Sequence, residues 1–377
     1  MINLNEHKKS KLNAIAIYLP QFHPIPENDI WWGKGFTEWT NVTKSKPLFE
    51  GHHQPHLPTD LGFYDLRLHE IMEQQAALAR ENGIYGFCFY HYWFNEKRLL
   101  NLPIDNWLKN KNPDFPFMLC WANENWTRKW DGLENELLIK QEYGREDDIK
   151  HINFLLDIFE DKRYIRIENK PVFIIYKPFE MPNAGATIRL WREIAARRGM
   201  ELYLCHMLFC YRQERKMMEG FDAAIDFEPY GIRKESPFSL IHKKRQQGSL
   251  LKVLNKFKHL INYNRIPYEM YNIVDYELCY ENLQPLKELE SKIFPSIVPG
   301  WDNTSRKNTN PHLILYDNTP QKFEIWLKKI EADFEPYSAE ENFLFINAWN
   351  EWAEGNHLEP CRKFGHGFLD VLKNNFL

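Results

Sequence analysis

The chain has 377 residues, of which 44% are apolar and 27% are charged, and its formal net charge is −4 at pH 7. This composition excludes a disordered chain, and the slightly acidic balance gives no reason to expect nucleic-acid binding. The longest apolar runs, 14–19 and 84–94, are shorter than the roughly 18 residues that a membrane-spanning helix needs. The basic start has no apolar stretch behind it, so we expect no signal peptide and a cytoplasmic protein.

Eight short runs of β-branched, aromatic or aliphatic residues predict strands that are buried on both faces, as in a parallel sheet. In chain order they cover residues 14–19, 86–90, 117–121, 172–176, 201–205, 223–227, 293–298 and 343–348. Helical patterns lie between them, at 186–198, 321–334, 368–376 and in a segment that starts after Asp65 and stops at Gly83. Thr319 is the predicted N-cap of the helix at 321–334.

Strands that alternate with helices in a chain of this size predict an α/β fold, a single (β/α)8 TIM barrel that spans residues 1–377. The alternative is a doubly wound open sheet. That fold favours a glycine-rich phosphate-binding turn after the first strand, whereas residues 18–24 contain two prolines and no glycine.

A basic segment interrupts the alternation of strands and helices. Residues 234–265 contain eight lysines and arginines against Glu235 alone, a net charge of +7, and apolar residues recur there at helical spacing. We expect an insertion at 234–270, between the sixth and seventh strands. Its helix either lies on an anionic membrane surface, which would bring the barrel to a lipid-linked glycan, or packs on the barrel through Leu250, Leu254 and Phe257.

The tryptophans are concentrated where a barrel carries its functional residues, at the C-terminal ends of strands and in the loops that follow. Their aromatic faces and polar edges suit the stacking and hydrogen bonding of sugar rings, and the alternative is aromatic packing between loops. Ten of the 13 tryptophans fall in such places: Trp31, Trp32, Trp39, Trp93, Trp121, Trp126, Trp130, Trp301, Trp349 and Trp352.

The end of the last strand carries two glutamates three residues apart, Glu351 and Glu354, between tryptophans. Glycoside chemistry needs two carboxyl groups, one of which stays protonated to assist the leaving oxygen. Aromatic surroundings raise a carboxyl pKa by desolvation, and a nearby like charge separates the two values. The spacing fits both carboxyl separations known for glycosidases, so it leaves the stereochemistry open.

Several sequence elements resemble the glycoside hydrolase family 99 endo-α-mannosidases and, more closely, the WbsX-like proteins of bacterial surface-polysaccharide clusters. The resemblance covers about residues 15–357. It is carried by Asn350-Glu351-Trp352-Ala353-Glu354-Gly355, Trp31-Trp32-Gly33-Lys34-Gly35-Phe36-Thr37-Glu38-Trp39, Gln54-Pro55-His56-Leu57-Pro58, Cys120-Trp121-Ala122-Asn123-Glu124-Asn125-Trp126 and Pro299-Gly300-Trp301-Asp302-Asn303-Thr304.

The resemblance implies a (β/α)8 barrel that retains anomeric configuration without a metal or other cofactor. It implies that Glu351 draws the proton from the sugar's own 2-hydroxyl, which attacks C1 to give a 1,2-anhydro intermediate, and that Glu354 is the general acid and then the general base. Position 353 is Ala here, where the mannosidases have His, and this difference bears on the identity of the substrate.

Further polar and aromatic residues at the predicted strand ends are candidates for binding substrate, and the alternative for each is bracing of the loops. These substrate-binding candidates are Tyr18, Trp39, Tyr90, His91, Tyr92, Trp121, Asn123, Glu124, Trp126, Tyr176, Lys177, His206, Glu228, Trp301, Asp302 and Asn350.

Two patterns with metal-ligand residue types are set aside. His52, His53 and His56 near Asp60 carry zinc-ligand chemistry, but no second ligand pair supports a site. Glu354-x-x-His357 is similar to the di-metal helix motif, which needs a helix bundle and a second copy. We therefore expect no metal.

The favoured function is a carbohydrate-active enzyme, a glycoside hydrolase or glycosyltransferase that acts on an oligo- or polysaccharide in lipopolysaccharide, O-antigen or capsule metabolism. A non-catalytic glycan-binding barrel would keep the tryptophans without needing both glutamates. A nucleotide-sugar glycosyltransferase would need a diphosphate site or an Asp-x-Asp motif, and the sequence shows neither.

Overall fold

The computed structural model describes residues 12–128, 133–209, 216–230, 272–281, 286, 291–307 and 313–377. Within these residues, parallel strands form the barrel that the sequence predicts. The barrel strands are β1 (Asn13–Tyr18), β2 (Ile84–Phe94), β3 (Phe117–Trp121), β4 (Lys170–Ile175), β5 (Tyr203–Leu208), β6 (Ala223–Asp226), β7 (Ile293–Phe294 and Ser296–Ile297) and β8 (Phe343–Ile346).

The barrel closes through β7. Strands β1 to β6 pair in chain order, and β8 pairs with β1. Pro295 divides β7, because proline has no N–H to give to a ladder. The part before Pro295 pairs with β6 and the part after it pairs with β8. The prediction of a (β/α)8 barrel is therefore confirmed, and an open sheet is excluded.

Burial of the strands follows the predicted pattern. Every residue of β3, β5, β6 and β8 is buried, so both faces of these strands are covered. One face fills the barrel and the other packs against the surrounding helices, as in other parallel sheets.

The α-helices of the described residues lie between the strands and in the loops at the barrel mouth. They are α1 (Pro26–Trp32), α2 (Glu38–Lys44), α3 (His69–Glu81), α4 (Leu102–Lys109), α5 (Arg145–Phe159), α6 (Ala184–Arg197), α7 (Leu278–Glu281), α8 (Pro320–Asp333) and α9 (Gly367–Phe376).

Of two predicted helix starts, the structure confirms one and contradicts the other. Thr319 caps α8 as predicted, since its side chain accepts a hydrogen bond from the Lys322 N–H at 3.3 Å. The prediction that Asp65 begins α3 is wrong. Its carboxylate accepts the Arg67 N–H at 2.9 Å instead, and the helix starts at His69.

The largest departures from the predicted strand boundaries are in β2 and β5. β2 continues to Phe94 because its last residues pair with an antiparallel strand at Lys97–Leu99. β5 lies two to three residues later than the predicted run 201–205, so His206 lies inside the strand rather than at its end. The predicted position of His206 was therefore wrong.

Short strand pairs accompany the barrel. Trp126–Arg128 pairs with Leu133–Ile139, Arg166–Ile167 with β4, Asn272–Asp275 with Leu313–Tyr316, and Asn350–Glu351 with Asn356–His357. The predicted insertion at 234–270 lies outside the described residues. Among the helices that the structure describes, not one has the length and apolar character needed to cross a bilayer.

Candidate active site

The hairpin that follows β8 presents both glutamates of the predicted pair. Its strands, Asn350–Glu351 and Asn356–His357, pair antiparallel, and a 3₁₀ turn at Trp352–Glu354 joins them. Gly355 closes the turn in the left-handed region at φ 57°. Glu351 and Glu354 both line the cavity at the barrel mouth, on the C-terminal side of the strands.

The loop after β7 lies directly against this hairpin. The Asp302 N–H donates a hydrogen bond to the Glu354 carbonyl at 2.6 Å. A Cβ at Gly355 would lie 3.0 Å from the Asp302 Cβ, and one at Gly300 would lie 2.9 Å from the Gly355 carbonyl oxygen. Glycine at both positions therefore allows the two loops to touch.

The side chain of Asn350 fastens the hairpin to the end of β1. Its Oδ1 accepts the Leu19 N–H at 2.7 Å, and its Nδ2 donates to the Leu19 carbonyl at 3.0 Å and to the Tyr64 hydroxyl at 3.2 Å. Trp352 adds a second anchor by donating its Nε1–H to Glu359 at 2.6 Å. These fully buried contacts hold the glutamates at fixed positions.

A guanidinium group that the sequence analysis missed links the two glutamates. Arg306, at the end of the 3₁₀ turn Asn303–Ser305, places Nη2 2.9 Å from Glu351 Oε2 and Nη1 2.6 Å from Glu354 Oε1. Its Nε lies 3.1 Å from Oε2 of Glu38, the first residue of α2. The only sequence signal is a basic residue in a loop that rises to the same mouth.

The electrostatic surroundings favour protonation of the glutamate pair. Burial raises the pKa of Glu351 to about 8, and the nearby Glu354 and Glu38 carboxylates act in the same direction against the lowering effect of Arg306. Burial also raises the pKa of Glu354, which is coupled to the same neighbours. The pair therefore holds a proton at neutral pH, a state that suits acid–base chemistry.

The cavity has a volume of about 550 Å³ and aromatic walls. Seven of the sixteen substrate-binding candidates line it together with the glutamate pair: Tyr90, Tyr92, Glu124, Trp126, Tyr176, Lys177 and Trp301. Residues outside the sixteen candidates complete the lining, among them Gln21, Trp32, Tyr230, Asn303, Arg306 and Lys307.

A second charged group lies in this cavity. Lys177 Nζ contacts the Glu124 carboxylate and lies 3.7 Å from Glu180 Oε1. Asn123 holds the backbone of this lysine, because its Oδ1 accepts the Lys177 N–H at 2.7 Å and its Nδ2 donates to the Lys177 carbonyl at 2.9 Å. Asn123 itself is buried behind the cavity wall.

Like Asn123, the remaining eight substrate-binding candidates lie outside the cavity lining. Each is bonded to a neighbouring group instead. Five bond to side chains or backbone of the interior: Tyr18 to Gln75, Trp39 to the Tyr64 carbonyl, His91 to His151, Trp121 to the Trp93 carbonyl and His206 to the Met218 N–H. Three brace loops: Glu228 through its N–H to Ser296, Asp302 to His52 and Gln54, and Asn350 to Leu19. All eight residues are buried.

The tryptophans divide in the same way. Of the ten that the sequence places near strand ends, Trp32, Trp126 and Trp301 line the cavity, and Trp130 lies outside the described residues. The others pack between loops and barrel, so the interpretation as packing aromatics applies to most of them. Ala353 is likewise fully buried and does not line the cavity, so position 353 has no contact with it.

The histidine cluster forms a structural network. The Leu48 N–H donates to His52 Nδ1 at 3.0 Å, which leaves His52 Nε2–H to donate to Asp302 at 2.7 Å. Asp60 points elsewhere, to His366 at 2.7 Å. Across the part of the chain that the structure describes, no group of three or more His, Cys, Asp or Glu is arranged to hold a metal ion.

A family model described as "Glycosyltransferase WbsX" matches residues 14–372. Two relatives from strains of Xanthomonas campestris pv. campestris, each named "Uncharacterized protein WxcX", are 37% identical over 361 residues, which make up 95% of this chain and 49% of each relative. The chain therefore spans about half the length of these relatives.

Two solved structures share the fold. A "Glycoside hydrolase-like protein" superposes with a TM-score of 0.58 at 16% identity and covers 97% of this chain and 94% of its own. The GH99 endo-alpha-mannosidase from Bacteroides thetaiotaomicron superposes with a TM-score of 0.55 at 14% identity and covers 96% of both chains. At this level of identity the likeness concerns the barrel architecture.

Proposed function

The chain belongs to the glycosyltransferase WbsX family, and we propose that it is a retaining enzyme that cleaves or transfers glycosyl units of a surface polysaccharide. The family points to a carbohydrate-active enzyme. The observation that carries the finer proposal is the buried pair Glu351 and Glu354, held on one guanidinium inside an aromatic cavity.

The cavity walls suit a sugar. Tyr90, Tyr92, Tyr176, Trp126 and Trp301 offer aromatic faces on which the C–H faces of a pyranose stack, and carboxylates and amides between them take hydroxyl hydrogen bonds. A volume of about 550 Å³ accommodates a short oligosaccharide rather than one small metabolite.

The first chemical step uses both carboxyl groups. The Glu351 carboxylate accepts the proton of the sugar 2-hydroxyl while that oxygen attacks C1 from the side opposite the leaving group. The bond between C1 and the leaving oxygen breaks, and Glu354 donates its proton to that oxygen. The products are a 1,2-anhydro sugar, protonated Glu351 and ionised Glu354.

The second step reverses these roles. An acceptor hydroxyl attacks C1 on the face that the leaving group vacated, and Glu354 takes the acceptor's proton. The C1–O2 bond breaks, and the 2-oxygen regains its proton from Glu351, so the enzyme returns to its starting state. Water as the acceptor gives hydrolysis, and a sugar hydroxyl gives transfer.

The mechanism requires one proton on the glutamate pair at neutral pH, with Glu351 ionised once the 2-hydroxyl is in place. The raised pKa values of both groups supply that proton. A shared guanidinium leaves the proton free to reside on either carboxyl group, so sugar binding selects Glu354 as the acid.

The test is incubation of the purified protein with oligosaccharides from the surface polysaccharide of its own organism, with products followed by mass spectrometry. The proposal is supported if the wild-type protein produces shortened or lengthened oligosaccharides and the Glu351→Gln and Glu354→Gln variants do not. Glu341→Gln is the matched control, because Glu341 is a buried carboxylate bonded to Tyr203 and Lys292, away from the cavity lining. Turnover that survives in both active-site variants contradicts the assignment of the pair.

A further inference from the structure

We propose that Arg306, held by Glu38, is a positioning residue that sets how many protons the Glu351–Glu354 pair carries. This inference rests on the proposed function, since it concerns the charge state in which the glutamates react. It adds two residues from distant parts of the chain to the machinery of the site.

Each of the three nitrogens of the Arg306 guanidinium has its own carboxylate partner. Nη2 lies 2.9 Å from Glu351, Nη1 lies 2.6 Å from Glu354, and Nε lies 3.1 Å from Glu38. A planar guanidinium holds its donors in a rigid fork, whereas a lysine ammonium is a single point charge. Arginine is therefore the side chain that can keep three carboxyl groups in one fixed arrangement.

Glu38 fixes the guanidinium from the side opposite the hairpin. Its side chain is completely buried, and its backbone N–H donates to the Gln21 carbonyl at 3.2 Å in the loop after β1. The capping box of α2, in which the Thr37 N–H donates to the Thr40 hydroxyl, fixes the start of the helix that carries Glu38. Arg306 thus has a rigid partner that is independent of the reacting glutamates.

The charge balance explains why Arg306 matters. One guanidinium against three ionised carboxylates leaves two negative charges in a site where the arginine side chain is only 11% exposed. Like charges in a poorly solvated site oppose ionisation, so a proton is retained. Without Arg306 both reacting glutamates would hold protons at neutral pH, and no carboxylate would be left to act as the base.

Other titratable groups near the pair have a weaker influence on the protonation of Glu351 and Glu354. Tyr90 and Tyr92 of β2 interact electrostatically with Glu351, and Tyr90, Tyr176 and Glu124 interact with Glu354. Lys307 lines the same cavity. Arg306 is the largest charged contributor for both glutamates, and Glu38 acts on both with the opposite sign.

The proposal predicts opposite effects from two substitutions. Arg306→Gln removes the group that lowers both pKa values, so both limbs of the pH profile of kcat/KM shift to higher pH, by roughly one to three pH units. Glu38→Gln removes a like charge and shifts both limbs to lower pH. Arg306→Lys keeps the charge without the fork, so its limbs lie between those of the wild type and Arg306→Gln.

The matched control is Arg163→Gln. Arg163 is buried to a similar degree, with its side chain 8% exposed, and it bonds Asp161 and the backbone carbonyls of Trp107 and Pro113. Its loss lowers the melting temperature and leaves the limbs of the pH profile in place. A purely structural role for Arg306 would give the same result as this control.

A second readout does not need turnover. Infrared titration of protein that contains isotope-labelled glutamate counts the protonated carboxyl groups at each pH. Near neutral pH, Arg306→Gln is expected to have one more protonated glutamate than the wild type. Unmoved limbs and an unchanged count in both Arg306→Gln and Glu38→Gln overturn this inference and leave the proposed function standing. If the wild type turns over no glycan while the titration behaves as described, the proposed function fails alone.

Discussion

Asn350 pairs with the backbone of Leu19 through both atoms of its side-chain amide, at 2.7 and 3.0 Å. The contact imitates one rung of a β-ladder and joins the end of β1 to the hairpin after β8. Because the next residue of the chain is Glu351, the first strand of the barrel fixes the position of a reacting carboxyl group whose number in the sequence is more than 300 higher.

Asn350→Ala is expected to destabilise the protein by about 1–3 kcal/mol, because it leaves two buried backbone groups of Leu19 without partners. It should lower kcat more than it raises KM, since the glutamates lose their fixed position. Chemical denaturation and steady-state kinetics measure the two effects. An equal loss of stability from Arg163→Gln with normal kcat would show that stability alone does not explain the kinetic defect.

Glu351→Gln and Glu354→Gln should each reduce kcat by on the order of 10²–10⁴, since each removes one proton transfer and keeps the size of the side chain. The melting temperature should not fall, because the substitution removes a like charge from a site that disfavours ionisation. Full activity in both variants, measured on a verified oligosaccharide, would move the chemistry to another pair.

Participation of the 2-hydroxyl makes a prediction about substrates. A glycoside with that hydroxyl methylated should still bind in the cavity but should not react, because the attacking oxygen no longer has a proton to give to Glu351. Competition binding against the natural oligosaccharide and product analysis separate the two properties. Normal turnover of the methylated glycoside would contradict the anhydro route.

Stability should pass through a maximum near pH 6.5, because the histidines whose pKa values burial lowers outnumber the glutamates whose pKa values it raises. Burial lowers the pKa of His91 and of His357 from the ordinary value of 6.5 to about 3, so the unfolded chain binds more protons in this range and these groups raise stability as the pH rises from about 3 to 6.5. Burial raises the pKa of Glu351 to about 8 and of Glu359 to about 7, from the ordinary value of 4.5, so each lowers stability as the pH rises from about 4.5 to those values.

The melting temperature across this pH range is the measurement for that prediction. Above pH 6.5 the histidine contribution is complete and only the glutamates continue to lower stability. Glu351→Gln should therefore reduce the decline above pH 6.5, steepen the rise between about pH 4.5 and 6.5, and leave the dependence below about pH 4.5 unchanged. If the melting temperature of that variant falls above pH 6.5 with the same slope as in the wild type, other groups cause the loss of stability.

The basic segment at 234–265 lies outside the described residues, and its two interpretations separate in liposome flotation. Binding to vesicles rich in anionic lipid, weakened by salt and by Lys→Glu changes at Lys243, Lys244 and Lys252, is expected for a membrane-contacting helix. Absence of binding at low salt would assign the segment to the barrel wall or to a contact between copies of the chain.

Local patterns predicted much of the fold. The run at 117–121 matches β3 residue for residue, because a buried central strand leaves a continuous apolar signature. The Thr319 cap was also readable, since the cap and its partner Lys322 lie three residues apart. His206 was misplaced because the apolar run around it gives no signal for where pairing with the neighbouring strands begins and ends.

The site was harder to predict than the barrel. The glutamate pair stood out because both members lie in one short hairpin. Arg306 did not, since its contact with Glu38 spans 268 residues and depends on which loops the closed barrel brings together. Strand-end position alone also does not show whether a side chain faces the cavity: Tyr90 lines it, whereas His91 bonds to His151.

The division of β7 at Pro295 gives the barrel a seam. The part before the proline shares two residue pairs with β6, and the part after it shares two with β8, whereas β2 and β3 share five. Segments with few ladder hydrogen bonds open at lower free energy than the rest of a domain. Backbone hydrogen exchange should therefore be faster along this seam than along the other strand pairs of the barrel, and the strand that forms the seam leads directly into the loop that carries Arg306.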